Sequence, residues 1–169
     1  MLEIIFIFIL GLILGSFANV CIYRMPRDLS IVKPNSHCTN CNSFIKWYDN
    51  IPIISYILLR GKCRNCGSKI SFIYPMIELS CGLLFLLMYF LFGFSYMLFP
   101  FCIYVFSLLV VTVIDFDFQI IPDEISFLLI IVGLLTSFFN VMLGDTILHR
   151  ILNSFLVFLP EEALYYLLL

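Results

Sequence analysis

Long apolar runs, broken by short polar segments, make up most of the chain. A helix needs about 20 apolar residues to cross the hydrocarbon core of a bilayer. Three runs meet this length well, 4–23, 73–94 and 97–114, and a fourth covers 125–143. A fifth begins near Ile147 and is interrupted by Pro160 and two acidic residues. The pattern predicts an all-α polytopic membrane helix bundle.

Composition supports this class, and charge sets the orientation. Hydrophobic residues make up 63% of the chain, charged residues make up 12%, and the mean hydropathy is +1.11; such values are typical of an integral membrane protein. The basic residues are concentrated between the first two spans: Arg24, Arg27, Lys33, Lys46, Arg60, Lys62, Arg64 and Lys69. The positive-inside rule places this loop in the cytoplasm and the N-terminus outside. Topology thus explains the basic residues, which indicate contact with membrane lipid rather than with nucleic acid.

The predicted cytoplasmic loop, residues 24–72, contains two CxxC pairs. Their cysteines are Cys38, Cys41, Cys63 and Cys66. Four thiolates on two tight turns form the ligand set of a closed tetrahedral zinc site, and a reducing cytoplasm favours metal binding over disulfides. His37 adjoins the first pair, but four thiolates already fill such a site. The loop is too short to build a strong core, so we expect zinc to staple it.

Apolar residues between the two pairs can add a small core to this loop. They are Trp47, Ile51, Ile53, Ile54 and Tyr56.

In the first span, Gly11 and Gly15 form a GxxxG extended by Ser16. Small residues on one face permit close packing of membrane helices. Glycines with no packing role are an equally good interpretation.

Asp115 is the candidate catalytic carboxylate, because it ends the third apolar run. An ionisable residue in a span is costly and by default marks function, and partial desolvation suits a carboxyl group for acid–base chemistry. A residue that merely marks the end of the span is an equally good interpretation. Asp117 points to another side of a helix, and Asp123, after Pro122, is predicted to lie in the first turn of the next helix.

Aspartic peptidases need a second carboxyl group close to the first. Glu78 can approach Asp115 from the start of the second span, although a first-turn acid favoured by the helix dipole is the better interpretation. Asp145 is predicted to be a turn residue on the outer side, about 30 Å of hydrocarbon away. His149 is predicted to lie near the same outer face.

Four segments, in order along the chain, resemble one known family. They are GLILGSFANVCIYRMP (11–26), NIPIISYILLRGKC (50–63), YPMIE (74–78) and IDFDFQIIPD (114–123). These segments are similar to bacterial type IV prepilin peptidases. The resemblance implies an aspartic endopeptidase of the bacterial inner membrane, which removes the leader peptide of type IV prepilins and type II secretion pseudopilins on the cytoplasmic side. It also implies N-methylation of the new N-terminus with S-adenosylmethionine.

The resemblance assigns roles to particular residues. Asp115 maps to the first catalytic aspartate, the four loop cysteines map to the tetracysteine motif, and Gly61 maps to a glycine associated with methylation. From the sequence alone, Gly61 is a turn glycine. The family's second aspartate lies in a GxGD motif, which this sequence does not contain. We therefore expect residues 73–169 to be an incomplete, C-terminally truncated peptidase region, and this chain alone to lack peptidase activity.

Two alternatives follow from the same residues. The first is a non-catalytic, zinc-stapled membrane scaffold that docks components of pilus or secretion assembly. It needs the cysteines but not Asp115. The second is a protein that only methylates, since the tetracysteine loop is complete.

Overall fold

The structure, a computed structural model, describes residues 1–139. Its α-helices are α1 (Leu2–Arg24), α2 (Ile54–Leu58), α3 (Ile73–Phe92), α4 (Leu98–Phe118) and α5 (Asp123–Phe139). Two 3₁₀ turns cover Met25–Arg27 and Trp47–Asn50. Within the described residues there is no β-strand, and only two isolated bridges occur, His37 with Phe44 and Lys62 with Lys69. The predicted all-α class is confirmed.

Three of the helices are long and apolar enough to cross a membrane. They are α1, which continues through its 3₁₀ turn to Arg27, together with α3 and α4. They correspond to the first three predicted spans. The fourth predicted span is described as far as Phe139, and the fifth run, with Asp145 and His149, lies outside the described residues.

The chain divides into two units, residues 1–122 and 123–169, which are described separately. The described part of the second unit is α5. This helix begins at Asp123, directly after Pro122, with Asp123 and Glu124 in its first turn. Asp123 therefore has the predicted helix-start position, where negative charge is favoured by the helix dipole.

Helices α1 and α3 pack closely through glycines. A Cβ atom added at Gly11 would lie 2.7 Å from the Cα atom of Gly82, and one added at Gly15 would lie 2.7 Å from the Cα atom of Glu78. Neither position has room for a side chain, so the backbones approach each other directly. This decides between the two interpretations of the GxxxG in favour of helix packing.

Apolar side chains form the core of the bundle, and α1, α3 and α4 each touch the other two. The core cluster consists of Ile7, Cys81, Phe85, Met88, Leu98 and Cys102. Phe17 on α1 also stacks on Phe106 of α4, with ring centroids 6.3 Å apart. The bundle thereby fixes the ends of α1 and α3, which carry the loop between them.

Candidate functional site

The four loop cysteines converge on one point. Their sulfur atoms all lie within 4.8 Å of one another, with 3.9 Å between Cys38 and Cys66 and 4.0 Å between Cys41 and Cys63. A Zn–S bond of about 2.3 Å places the sulfurs of a tetrahedral site about 3.8 Å apart. The cysteines therefore have the spacing needed to hold zinc.

The two cysteine turns have the same hydrogen-bond pattern. In the first, the Cys38 N–H donates to the Ser43 carbonyl oxygen (2.9 Å). In the second, the Cys63 N–H donates to the Ser68 carbonyl oxygen (2.8 Å). The sequence signal for this likeness is the repeated pattern Cys-x-Asn-Cys-x-Ser, which the sequence analysis missed.

Each turn then reverses through a left-handed residue. These residues are Asn42, with φ 55°, and Gly67, with φ 70°. Their N–H groups donate back to the carbonyl oxygens of Cys38 (2.9 Å) and Cys63 (3.0 Å). Glycine adopts this backbone region freely and asparagine tolerates it. The residue after each CxxC pair is thus suited to closing the turn.

Serine hydroxyls contact the second sulfur of each turn. The Ser43 Oγ atom lies 3.0 Å from the Cys41 Sγ atom, and the Ser68 Oγ atom lies 3.1 Å from the Cys66 Sγ atom. The hydrogen bond from Ser68 and its backbone lowers the pKa of Cys66 to about 6. This favours the thiolate that metal binding requires.

His37 is not part of the cluster; its Nδ1 atom lies 3.2 Å from the Asn35 carbonyl oxygen.

The predicted small core of the loop is wrong. Trp47 is 80% exposed and Ile54 is 54% exposed. The segment forms only a 3₁₀ turn and the five-residue helix α2, which are too short to enclose apolar side chains. The buried residue here is Ser55, whose hydroxyl donates to the Tyr48 carbonyl oxygen (2.9 Å). Polar contacts and the cysteine cluster, rather than an apolar core, hold residues 24–72, which we call the tetracysteine module.

Gly61 lies where the chain enters the second cysteine turn. Its φ is +64°, and an added Cβ would lie 2.9 Å from the hydroxyl oxygen of Tyr56. Its N–H donates to the Tyr56 carbonyl oxygen (2.9 Å), and its carbonyl accepts from the Ile70 N–H (2.8 Å). The turn requires glycine for both backbone conformation and space.

A cavity of about 430 Å³ lies between the tetracysteine module and the adjoining ends of α1 and α3. Its polar lining includes Asn19, Arg24, Lys46, Tyr56, Tyr74 and Glu78. Two α1 side chains fix its walls. The Asn19 Nδ2 group donates to the Tyr74 carbonyl oxygen (3.1 Å). The Arg24 guanidinium, 6% exposed, donates to the carbonyl oxygens of Ser30 (2.9 Å) and Pro34 (2.8 Å).

Glu78 joins helix α3 to the module. Its Oε2 atom accepts a hydrogen bond of 2.7 Å from the backbone N–H of Ile53. The interpretation of Glu78 as a first-turn acid is wrong, because the first turn of α3 contains no acidic residue. Sequence reasoning could not find this partner, since the two residues are 25 positions apart. Ile53 has φ +61° and ψ −50°, a strained backbone for a β-branched residue.

Asp115 lies in the last turn of α4, and its carbonyl oxygen accepts the Gln119 N–H (2.9 Å). Its side chain is exposed, so the rest of the described chain does not supply the expected desolvation. The end of α1 reaches the same region. The guanidinium of Arg27 lies 4.4 Å from the ring centroid of Tyr23 and 5.1 Å from that of Phe118.

Comparison with known proteins identifies a matching family domain and relatives of this chain. The Bacterial Peptidase A24 N-terminal domain matches residues 9–92, which include all four loop cysteines. Three similar curated proteins carry the name "Prepilin leader peptidase/N-methyltransferase". The protein of Myxococcus xanthus is 42% identical over 134 residues, covering 79% of this chain and 40% of the relative. That of Neisseria gonorrhoeae is 39% identical over 151 residues (75% and 53%), and that of Bacillus subtilis is 43% identical over 125 residues (74% and 50%).

The chain spans about half the length of these relatives. No solved structure matches it significantly. The matched domain, the similarity to these relatives and the clustered cysteines agree with the resemblance of the four sequence segments. The chain therefore belongs to the bacterial type IV prepilin peptidase family.

Proposed function

We propose that this protein is a membrane aspartic endopeptidase that removes the leader peptide of type IV prepilins and type II secretion pseudopilins, and that it methylates the new N-terminal amine. The observation that carries the proposal is its 39–43% identity, over about three quarters of the chain, to three proteins named for both activities. The chain also has a carboxylate, Asp115, at the end of a candidate membrane-spanning helix.

The proposed orientation follows from charge. The basic residues of the tetracysteine module favour the cytoplasmic side of a bacterial inner membrane. The N-terminus then lies outside, α3 runs outward and α4 returns. Asp115, at the end of α4, would lie at the cytoplasmic surface, where the leader peptide is cut.

Asp115 is proposed as one of two catalytic carboxylates. In an aspartic peptidase one carboxylate takes a proton from water, while its partner, still protonated, donates to the scissile carbonyl. Because one carboxyl group cannot do both, the reaction requires a second carboxyl group beside Asp115. We propose residues 73–169 as part of this peptidase region.

The metal is proposed to be structural. Four cysteine ligands leave no open position for a substrate or water. In small zinc domains, metal binding contributes about 10–16 kcal/mol to folding at neutral pH. Such a contribution suits a module whose apolar residues are largely exposed.

Methylation uses S-adenosylmethionine, which supplies the methyl group for the amine. The cavity beside the module fits a molecule of this class, because small-molecule pockets have volumes of about 300–1,000 Å³ and its lining combines aromatic rings with charges of both signs. Gly61 contacts Tyr56, which lines this cavity. We therefore propose that Gly61 affects methylation through the position of that wall.

The proposal is tested in bacteria that lack their own prepilin peptidase. The protein is expressed with a prepilin, and the pilin N-terminus is read by mass spectrometry, which reports cleavage and methylation separately. We expect cleavage when the protein tested includes the second carboxyl group, and Asp115→Asn in that protein should cleave roughly 10²- to 10⁴-fold more slowly. Residues 1–169 alone, which contain no GxGD motif, should not cleave. Asp117→Asn is the matched control, because Asp117 is also exposed near the end of α4, and it should retain activity.

Three results would contradict parts of the proposal. Cleavage that survives Asp115→Asn removes Asp115 from the catalytic pair. Methyl transfer to a pre-cleaved pilin, without cleavage of the prepilin, leaves a protein that only methylates. If neither reaction occurs and pilus assembly still requires the cysteines, the protein is a scaffold.

A further inference from the structure

Glu78 is a buried carboxylate without a cationic partner among the residues that the structure describes. It is 9% exposed and lines the cavity between the module and the membrane helices. The salt bridge found in residues 1–139 joins Arg64 to Asp49 and does not involve Glu78. Burying a carboxylate is costly unless a cation or hydrogen bonds compensate it. The compensation here is the hydrogen bond from the Ile53 N–H.

Other charged groups line the same cavity, and several are already engaged. Arg24 donates to two backbone carbonyls, and Arg64 is paired with Asp49. The ammonium of Lys46 lies 5.6 Å from the ring centroid of Tyr48. Lys69 completes the cationic lining. None of these cations lies within 4.0 Å of the Glu78 carboxylate, so no cation among residues 1–139 pairs with its negative charge.

We propose that this cavity binds a primary α-ammonium group and that the Glu78 carboxylate holds it. The inference rests on the proposed methylation, in which two molecules carry this group. One is the peptide whose N-terminus receives the methyl group, and the other is the methyl donor, through its amino-acid end. An ammonium has three N–H donors and a carboxylate accepts at about four positions, so such pairs form strong, charge-assisted hydrogen bonds.

The Ile53 contact prepares the carboxylate for this role. It occupies one acceptor position of Oε2 and leaves others for a ligand. The contact also holds the module against α3, since it joins a loop residue with a left-handed backbone to a membrane helix. The Glu78 side chain therefore has two roles. Its structural role needs only an acceptor atom, and its binding role needs negative charge.

The substitution Glu78→Gln separates the structural role from the binding role. The amide oxygen can still accept the Ile53 N–H, but the charge is lost. Two pairs of probes are measured by calorimetry with the purified full chain in nanodiscs. The first pair is a peptide with the mature pilin N-terminus and its N-acetylated twin. The second pair is S-adenosylhomocysteine and 5′-methylthioadenosine, which lacks the amino-acid end.

We expect the wild type to bind at least one ammonium-bearing probe about tenfold or more tightly than its twin, as hydrogen bonds to charged groups allow. The pair that shows the preference identifies the source of the ammonium group. Glu78→Gln should remove the preference and leave the zinc content unchanged. Equal binding of the twins by the wild type, or a preference that survives Glu78→Gln, would overturn the proposal.

A second measurement needs no variant. Dicyclohexylcarbodiimide activates buried carboxyl groups by bonding to one carboxyl oxygen. A primary amine in contact with the activated group then forms an amide, and the carboxyl oxygen leaves in dicyclohexylurea. Mass spectrometry should find the free-amine peptide or S-adenosylhomocysteine coupled to Glu78, and no coupling of the ammonium-free twins. Absence of any such adduct at Glu78 would count against the site.

The methyl-transfer assay shows which idea fails. If the wild type methylates a pilin but shows no preference that depends on Glu78, the ammonium site is wrong and the proposed function stands. If the preference is found without methyl transfer, the site stands and the methyltransferase assignment is wrong.

Discussion

Arg64 and Asp49 form a two-point ion pair inside the tetracysteine module. The Arg64 Nε atom lies 2.8 Å from Oδ2 of Asp49, and Nη2 lies 2.6 Å from Oδ1. Arg64 stands between Cys63 and Cys66, whereas Asp49 belongs to the 3₁₀ turn Trp47–Asn50. The pair therefore ties the second cysteine turn to the segment between the two turns.

Replacing Asp49 with Asn should loosen the module slightly at neutral pH. Hydrogen bonds from Arg64 hold the pKa of Asp49 below its usual value. The stabilisation is thus complete above the unfolded-state pKa of about 4 and is lost as the pH falls through the lower folded-state pKa. We expect faster proteolysis of the module at pH 7 in low salt and a smaller difference in high salt. Asp28→Asn, an exposed acid in the same loop, is the control. Equal proteolysis of Asp49→Asn and the wild type in low salt would contradict a stabilising role.

Replacing Cys63 with Ser should remove the metal. A four-thiolate site predicts about one zinc per chain, measured by elemental analysis of protein purified without added metal. Cys21→Ala should retain the zinc, because Cys21 is buried in α1. Removing zinc from the wild type with a chelator should expose the module to protease in the same way as Cys63→Ser. A Cys63→Ser protein with normal zinc content would exclude this ligand set.

Gly61→Ala should destabilise the module more than Gly67→Ala. Both glycines have a left-handed φ, but an added Cβ meets Tyr56 only at Gly61 and has nothing within 4 Å at Gly67. Left-handed strain costs about 1–3 kcal/mol, and the clash adds to it only at Gly61. The free energy of unfolding of the two zinc-loaded variants measures the difference. Equal losses would mean that Tyr56 moves aside freely.

Gly15→Ala should weaken the bundle of α1 and α3. The new methyl group would lie 2.7 Å from the Cα atom of Glu78, and overpacking typically costs about 1–3 kcal/mol. Thermal unfolding in detergent should occur at a lower temperature. Ile13→Ala, at a half-exposed position on α1, should change it less. If Ile13→Ala is the more damaging variant, the close glycine contact is not what holds the two helices.

Much of this protein is determined by features that are local in sequence. Apolar runs of span length predict α1, α3 and α4, because a helix satisfies its own backbone within a short stretch of chain. The CxxC spacing predicts the ligand set, because each pair closes its own turn. Asp123 after Pro122 predicts the start of α5. Asp115 as a catalytic residue remains a prediction from resemblance.

Tertiary structure decided what depends on segments far apart in the chain. It showed that the GxxxG is a packing face, because Gly82 and Glu78 lie against it, and that Glu78 bonds to Ile53 rather than acting as a first-turn acid. It also showed that the apolar residues of the module are largely exposed. A sequence pattern records which side chains are apolar or charged, but burial and partner choice depend on which surfaces the fold brings together.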